Sequence, residues 1–341
     1  MSRYMARRLV MSVGALFGIV VVVFLVVRIL PGDGAVLRAG PYASASRIAQ
    51  IRKEFGLDKS LLSQFQTYMV NVLHGNLGTS IRTQAPVTTE LMSRLAASLE
   101  MALASVLLAS LVGIPMGMWA AARRGKWVDH IVRIFAVIGS SMALFWLGLL
   151  MIYLFFYRLG WAPGPVGRLN IGTNPPTSIT GLFTVDAALQ GQWAILTDAL
   201  RHLALPVITL GLVLSAPIIK MVRSAMIESL DSDYVRTARS VGVRGYEILW
   251  RDGFRNALIP VTTTMGIVFG YMLGGNIIIE FLFNWPGIGR YAFTAAQNND
   301  IDALQGFVIV VGVLYIILNI LIDLIYVWVD PRIRIRKAPT S

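Results

Sequence analysis

Apolar positions along the chain gather into six long runs, at roughly 9–30, 95–122, 131–157, 203–225, 257–283 and 306–329. A helix needs about 20 residues to cross a bilayer, and each run is near that length or longer. The pattern predicts an all-α polytopic membrane protein with six transmembrane helices. The first run follows Arg3, Arg7 and Arg8, as a signal peptide would. However, Leu9 to Val27 is too long for an ordinary signal core, and "RILPGDG" offers no small-residue cleavage site. The expectation is a retained helix, with Arg28 snorkelling to the far interface.

The polar segments between the runs carry their own patterns. "ASRIAQIRKEFGLDKSLLSQFQTYMVNVLHGNLGTS" reads as two amphipathic helices broken near Gly56, with Leu61, Leu62, Phe65, Tyr68, Met69 and Val72 at helical spacing. It suits either a lid on the membrane surface or a docking surface for an external partner. Residues 158–202 are rich in Gly, Pro and Thr and predict irregular loop. In the fifth run Gly266, Gly270 and Gly274 recur every four residues, a spacing that lets helices approach closely. That face fits helix packing or a surface that opens along a pore; Gly14/Gly18 and Gly113/Gly117 repeat it more weakly. Ionisable residues in or beside the runs are few (Glu100, Lys220, Glu280 and Asp323), and all are expected near span ends. A proton- or sodium-coupled carrier would keep acidic groups deeper.

Charge then sets an orientation. The chain has 341 residues, 14% of them charged, and a formal net charge of +12. With the amino terminus in the cytoplasm, the inside segments 1–8, 123–133, 220–256 and 331–341 hold 18 Lys and Arg in 67 residues. The outside segments 31–94, 158–202 and 284–305 hold 11 in 131 residues. That asymmetry is the positive-inside pattern, with both termini cytoplasmic, and it accounts for the basic charge without a nucleic-acid partner. The chain has no cysteine, which excludes disulfides, thiolate chemistry and cysteine metal sites. His74, His130 and His202 are too dispersed for a metal cluster, and no phosphate-binding G-x-x-x-x-G-K-[ST] loop occurs. No Ser/His/Asp set clusters in the sequence, so the chain is expected to be non-catalytic.

The inside segment before the fifth run, "DYVRTARSVGVRGYEILWRDGFRNALIPV", is polar but patterned. Tyr234, Ala238 and Val241 form a short apolar stripe after a helix start at Asp231 or Ser232. Gly242 and Gly245 offer a break. Tyr246, Leu249, Trp250, Gly253 and Phe254 form a second stripe, opposite Arg244, Glu247, Arg251 and Arg255, with Glu247 and Arg251 spaced as an i,i+4 ion pair. The pattern is a helix–turn–helix knob, either an amphipathic hairpin at the headgroups or a partner-docking element.

The same stretch resembles the cytoplasmic EAA loop of ABC importer permeases of the dipeptide/oligopeptide (peptide/nickel/opine) family. The generic signature, E-A-A, three residues and Gly, matches Arg236, Thr237, Ala238 and Gly242, with Arg in place of Glu. "RILPGDGA", "FGLDKSLLSQF", "HGNLGTSI", "RHLALPVITLGL", "GGNIIIEFLFNWPGIGRY" and "NILIDLIYVWVDPRIR" are similar to that family in family order. The most specific of these patterns is Glu280–Phe283–Pro286–Gly287–Gly289. The resemblance implies a type I ABC importer permease in a bacterial inner membrane: a first helix and extracytoplasmic segment over 1–94, then a permease core over 95–341 with a coupling loop at 226–256. It implies a second homologous permease, two cytoplasmic ATP-binding subunits that hold ATP and Mg, and an extracytoplasmic substrate-binding protein. Tyr234, Arg236, Thr237, Ala238, Gly242, Tyr246, Glu247, Trp250 and Arg251 are then expected to form the ATPase-coupling loop. Cargo is expected to be di- or oligopeptides, with nickel chelates, glutathione, opines or oligosaccharides as alternatives. A secondary transporter or channel is the reading from another class.

Overall fold

A computed structural model describes residues 2–29, 35–36, 43–54 and 56–329, except the side chains of 2–9, 29, 273–275 and 323–329. The predicted basic tail at 330–341 and the surroundings of Gly274 and Asp323 lie outside the described residues. The described elements are helical, and among the described residues no strand occurs. In chain order the helices are α1 (Ser2–Ile29), α2 (Ala45–Glu54), α3 (Leu61–Leu73), α4 (Val87–Ala122) and α5 (Trp127–Ser141). There follow α6 (Leu144–Met151), α7 (Phe183–Leu189), α8 (Trp193–Leu230), α9 (Asp233–Ser240) and α10 (Arg255–Gly275). Last come α11 (Ile277–Leu282), α12 (Ile288–Gln297) and α13 (Ile301–Val329). Among the described residues, four helices are long and apolar enough to cross a membrane, within α1, α4, α8 and α13. A fifth crossing arises if the bent pair α5 and α6 counts as one span.

Two of the predicted spans differ. The third is not one helix. Met142 and Ala143 are extended (ψ 130° and 123°), and the chain bends by 101° between α5 and α6, whose helical path runs on in wide turns to Arg158. Ser140 and Ser141 precede the bend and supply polar groups where the backbone ladder is interrupted. The fifth predicted span, 257–283, is split into α10 and α11 at Asn276. Hydropathy also underestimates α8, which runs 38 residues through Pro206 and Pro217. Prolines are tolerated in spanning helices because neighbours re-satisfy the freed backbone groups.

The chain forms two compact units. One comprises Met1–Leu95 with Gly287–Ile316. In it α3 rests on α1: Phe65 meets Phe24 edge-on at 5.2 Å, Tyr68 tilts against Phe24 at 5.6 Å, and Arg28 donates to Gln64 at 2.8 Å. Arg28 is therefore held by α3. Gly56 (φ +61°) makes the turn between the two predicted amphipathic helices, and Leu61 and Leu62 remain exposed. Gly14 and Gly18 face open space, so their spacing packs nothing among the described residues.

The other unit comprises Ala96–Pro286 with Ile317–Ser341. Its core is built by α4, α8, α10 and α11 around Met101, Leu210, Ile218, Met272, Ile279 and Trp285. Close approach of α4 to α8 depends on glycine. A Cβ at Gly117 would stand 2.7 Å from Val222 Cβ and 2.9 Å from the Ile219 carbonyl oxygen. Gly266 and Gly270 are buried in α10, and a Cβ on Gly266 would overlap Ile322 of α13.

Candidate functional site

The knob over 231–256 joins α8 to α10. Helix α9 begins after Ser232, whose hydroxyl turns back to the Ser229 carbonyl at 2.5 Å. The Tyr234 hydroxyl is the hub that fixes it. It lies 2.6 Å from Ser229 Oγ, receives a bond from Asn256 Nδ2 at 2.6 Å, and reaches the Asp252 carbonyl at 3.3 Å. Ser229 and Asn256 each donate to that same carbonyl at 2.8 Å. Both flanking helix ends are thus tied to one tyrosine. Gly242 takes φ +81° and turns the chain, and a Cβ there would meet nothing within 4 Å. Only glycine enters that left-handed region without cost.

The stripes differ from those the periodicity suggests. Val235 and Ile248 are the buried anchors, whereas Tyr234, Val241, Tyr246 and Trp250 are exposed. The reason is the backbone after Glu247, where Ile248–Phe254 forms wide i→i+5 turns. Those turns take Glu247 and Arg251 out of i,i+4 register, and among the described residues they form no ion pair. Trp250 meets Tyr246 tilted at 6.2 Å and Phe254 edge-on at 5.6 Å, and Tyr246 and Trp250 leave an aromatic edge facing outward. Arg236 on α9 is 73% exposed, with only a 3.4 Å contact to Asp233; Thr237 is exposed and Ala238 half-buried. Behind the knob a cavity of about 730 Å³ is lined by Ala121, Arg124, Leu230, Arg239, Tyr246 and Leu249. Arg124 and Asp231 bridge at 2.6 Å across its mouth.

A buried polar network forms in the same unit around the first residues of the second predicted span. Glu100 (5% exposed) pairs with Arg168 (8% exposed) at 2.5 Å and also accepts from the Thr184 amide and hydroxyl at 2.7 and 2.6 Å. Arg168 donates to the Gly181 carbonyl at 3.0 Å and stacks 3.3 Å over the Phe183 ring. Burial pushes its guanidinium pKa down, and the charge and hydrogen bond of Glu100 oppose that shift. Asp186 organises the loop by accepting from the Thr180 amide and hydroxyl and from the Ile179 and Gly181 amides, at 2.7–3.2 Å. Burial acts to raise its pKa, but these bonds outweigh it and hold the carboxyl below its ordinary 3.8. The Gly/Pro-rich loop expected to be irregular is therefore clamped, and it contains α7. Composition carried no signal for this pairing, because the partners are 68 residues apart.

The Glu280 motif divides between the two units. Glu280 is buried and accepts from Ser98 Oγ at 2.6 Å; Phe283 is buried in the core, and Trp285 donates to the Ala97 carbonyl at 2.8 Å. Pro286 ends that unit. Gly287 begins the other by preceding α12, where Ile288 and Gly289 are buried. There Tyr291 lies under Arg94 at 5.2 Å, beside a hollow of about 210 Å³ that Arg82, Glu90 and Asp300 also line. Burial, and after it Asp300 and Glu90, push the Tyr291 phenol up to about 12, so it stays neutral. Among the described residues no group of His, Asp and Glu is arranged to hold a metal ion.

Comparison with known proteins agrees with these features. Residues 113–335 match the family of binding-protein-dependent transport system inner membrane components, and residues 1–102 match its N-terminal component. The chain is 44% identical over 316 residues to the probable D,D-dipeptide transport system permease protein DdpB of Escherichia coli K12, covering 93% of each. It is 38% identical to the dipeptide transport system permease protein DppB of the same strain, covering 99% of this chain and all of that one. It is 36% identical to the glutathione transport system permease protein GsiC of Salmonella choleraesuis, covering 98% and 99%. A helical chain with several apolar crossings and an ordered polar knob between two of its long helices, matched over nearly its full length, belongs to the family of binding-protein-dependent transport system inner membrane components.

Proposed function

We propose that this chain is the permease subunit of an ATP-driven importer of di- and oligopeptides, working by alternating access. It crosses the inner membrane six times, with both termini and the 231–256 knob in the cytoplasm. The knob docks on one of two ATP-binding subunits, which hold ATP and Mg and carry out hydrolysis. A second, similar permease completes the pathway, and an extracytoplasmic binding protein delivers cargo. The observation that carries this reading is the knob itself. Tyr234 OH and the buried Val235 and Ile248 lock it to the ends of α8 and α10, so force applied to it moves those helices. Its exposed residues, among them Tyr246, Trp250 and Arg236, have the aromatic and arginine character of protein-contact hot spots. Peptide cargo is favoured over other classes because relatives at 44% and 38% identity carry dipeptide names.

Reconstitution tests this. The purified chain, with the second permease and the ATPases in proteoliposomes, is expected to take up a labelled dipeptide when binding protein and ATP are present. Uptake that ignores ATP and collapses with the proton gradient would instead identify a secondary transporter.

A further inference from the structure

Lys220 lies near the basic end of its helix, three residues before Arg223, yet its ammonium is directed inward. It lies on α8 ten residues before Leu230, and its ammonium donates to Ser140 Oγ at 2.9 Å, with both side chains exposed. Helices α5 and α8 run antiparallel in a register fixed at two points. Asp129 holds Arg223 through bonds of 2.6 and 2.8 Å. Ten residues on, a Cβ at Gly139 would lie 3.4 Å from the Leu212 carbonyl oxygen and 3.5 Å from Ala216 Cβ. Asp129 neighbours the basic run Arg123, Arg124, Lys126 and Arg133, so it marks the basic end of the pair. At 1.5 Å per residue, Ser140 stands about 16 Å along α5 from that level, roughly half of a hydrocarbon core. The lysine therefore directs its charge away from the basic end and toward mid-membrane depth.

A lysine facing lipid snorkels to the nearest headgroups. This one runs the other way, to a single hydroxyl beside the 101° bend. An ammonium has three N–H donors, and among the described residues no carboxylate pairs with Lys220. Ser224 and Glu228 follow it at i+4 and i+8 on α8, both exposed. The stripe runs from Lys220 out toward the basic end, and a charge that reaches inward to the level of Ser140 belongs on a water-filled path, because lipid-facing helix surfaces at that depth are apolar.

We propose that Lys220, steadied by Ser140, binds the carboxylate of cargo on its way through the pathway. This rests on the peptide reading above. Every peptide offers a C-terminal carboxylate and acidic ones a side-chain carboxylate, and both suit the remaining N–H donors. The cysteine-free sequence permits a direct test, since K220C places the only thiol in the chain. In the reconstituted complex, K220C is expected to lower dialanine uptake by about tenfold, the scale of one charge-assisted hydrogen bond. Water-soluble 2-aminoethyl methanethiosulfonate, which rebuilds an ammonium at that position, is expected to restore uptake, and the methyl reagent is not. K220R should retain most activity. Equal losses for Ala-Ala and Ala-Glu assign the C-terminal carboxylate; a loss confined to Ala-Glu assigns the side chain. Normal uptake of both Ala-Ala and Ala-Glu by K220C, a labelled variant not rescued by the aminoethyl group, or no labelling from water overturns the proposal. A wild-type complex that moves no peptide overturns the peptide reading and this proposal with it.

Discussion

Gly242 separates backbone strain from partner contact. Its φ of +81° costs an L-residue about 1–2 kcal/mol, the penalty of the left-handed region. The Cβ itself adds no clash, because it would have nothing within 4 Å. Val235, Ile248 and the Tyr234 hydroxyl network do not involve Gly242, so the knob's anchors persist. A bulky residue at 242 thus strains the turn modestly, leaves the spanning helices intact and projects outward from the knob, where the proposed ATP-binding subunit would dock. Gly242→Trp is expected to preserve membrane insertion and complex ATP hydrolysis while lowering dipeptide uptake per ATP by at least tenfold, about 1.4 kcal/mol of lost coupling. Gly242→Asn is the control, since Asn enters the left-handed region at little cost. A deficit shared by both variants assigns close contact at the Cβ; a deficit in Trp alone assigns bulk. The assay is paired measurement of uptake and phosphate release in proteoliposomes. Normal uptake per ATP in Gly242→Trp would refute the reasoning.

Three further outcomes follow from the packing. Glu100→Gln leaves the Arg168 guanidinium buried without its counter-charge and is expected to cost about 3–5 kcal/mol in thermal unfolding, whereas pairing it with Arg168→Met recovers much of that loss. Asp186→Asn is expected to destabilise the 177–190 loop by about 1–3 kcal/mol at pH 7, read as faster proteolysis there. Because the folded pKa lies below the ordinary 3.8, the wild-type advantage is complete above that value and disappears as pH falls through the folded pKa. Gly117→Leu forces α4 from the Ile219 carbonyl and is expected to cost at least about 1–3 kcal/mol, measured as lowered melting temperature of the purified complex.

Much of the architecture was legible because hydropathy and turn chemistry are local. The apolar runs located the long helices, Gly56 located the break between α2 and α3, and Gly242 located the turn in the knob. The bend between α5 and α6 was not legible, since neither Met142 nor Ala143, the extended pair, is a helix breaker. The knob's face was misjudged for a related reason: i→i+5 turns over Ile248–Phe254 shift every residue relative to a 3.6-residue wheel. The Glu100–Arg168 clamp joins residues too distant in sequence for any spacing rule.

Cross-linking from the exposed edge of the knob tests the central claim most directly. Y246C introduces the only thiol in this otherwise cysteine-free chain, on a side chain that is 71% exposed. In complexes actively importing a dipeptide, a short thiol-directed photocross-linker at this position is expected to capture an ATP-hydrolysing subunit, with a yield that changes between ATP-bound and nucleotide-free states. Capture of no such subunit in a transport-competent complex would contradict the account.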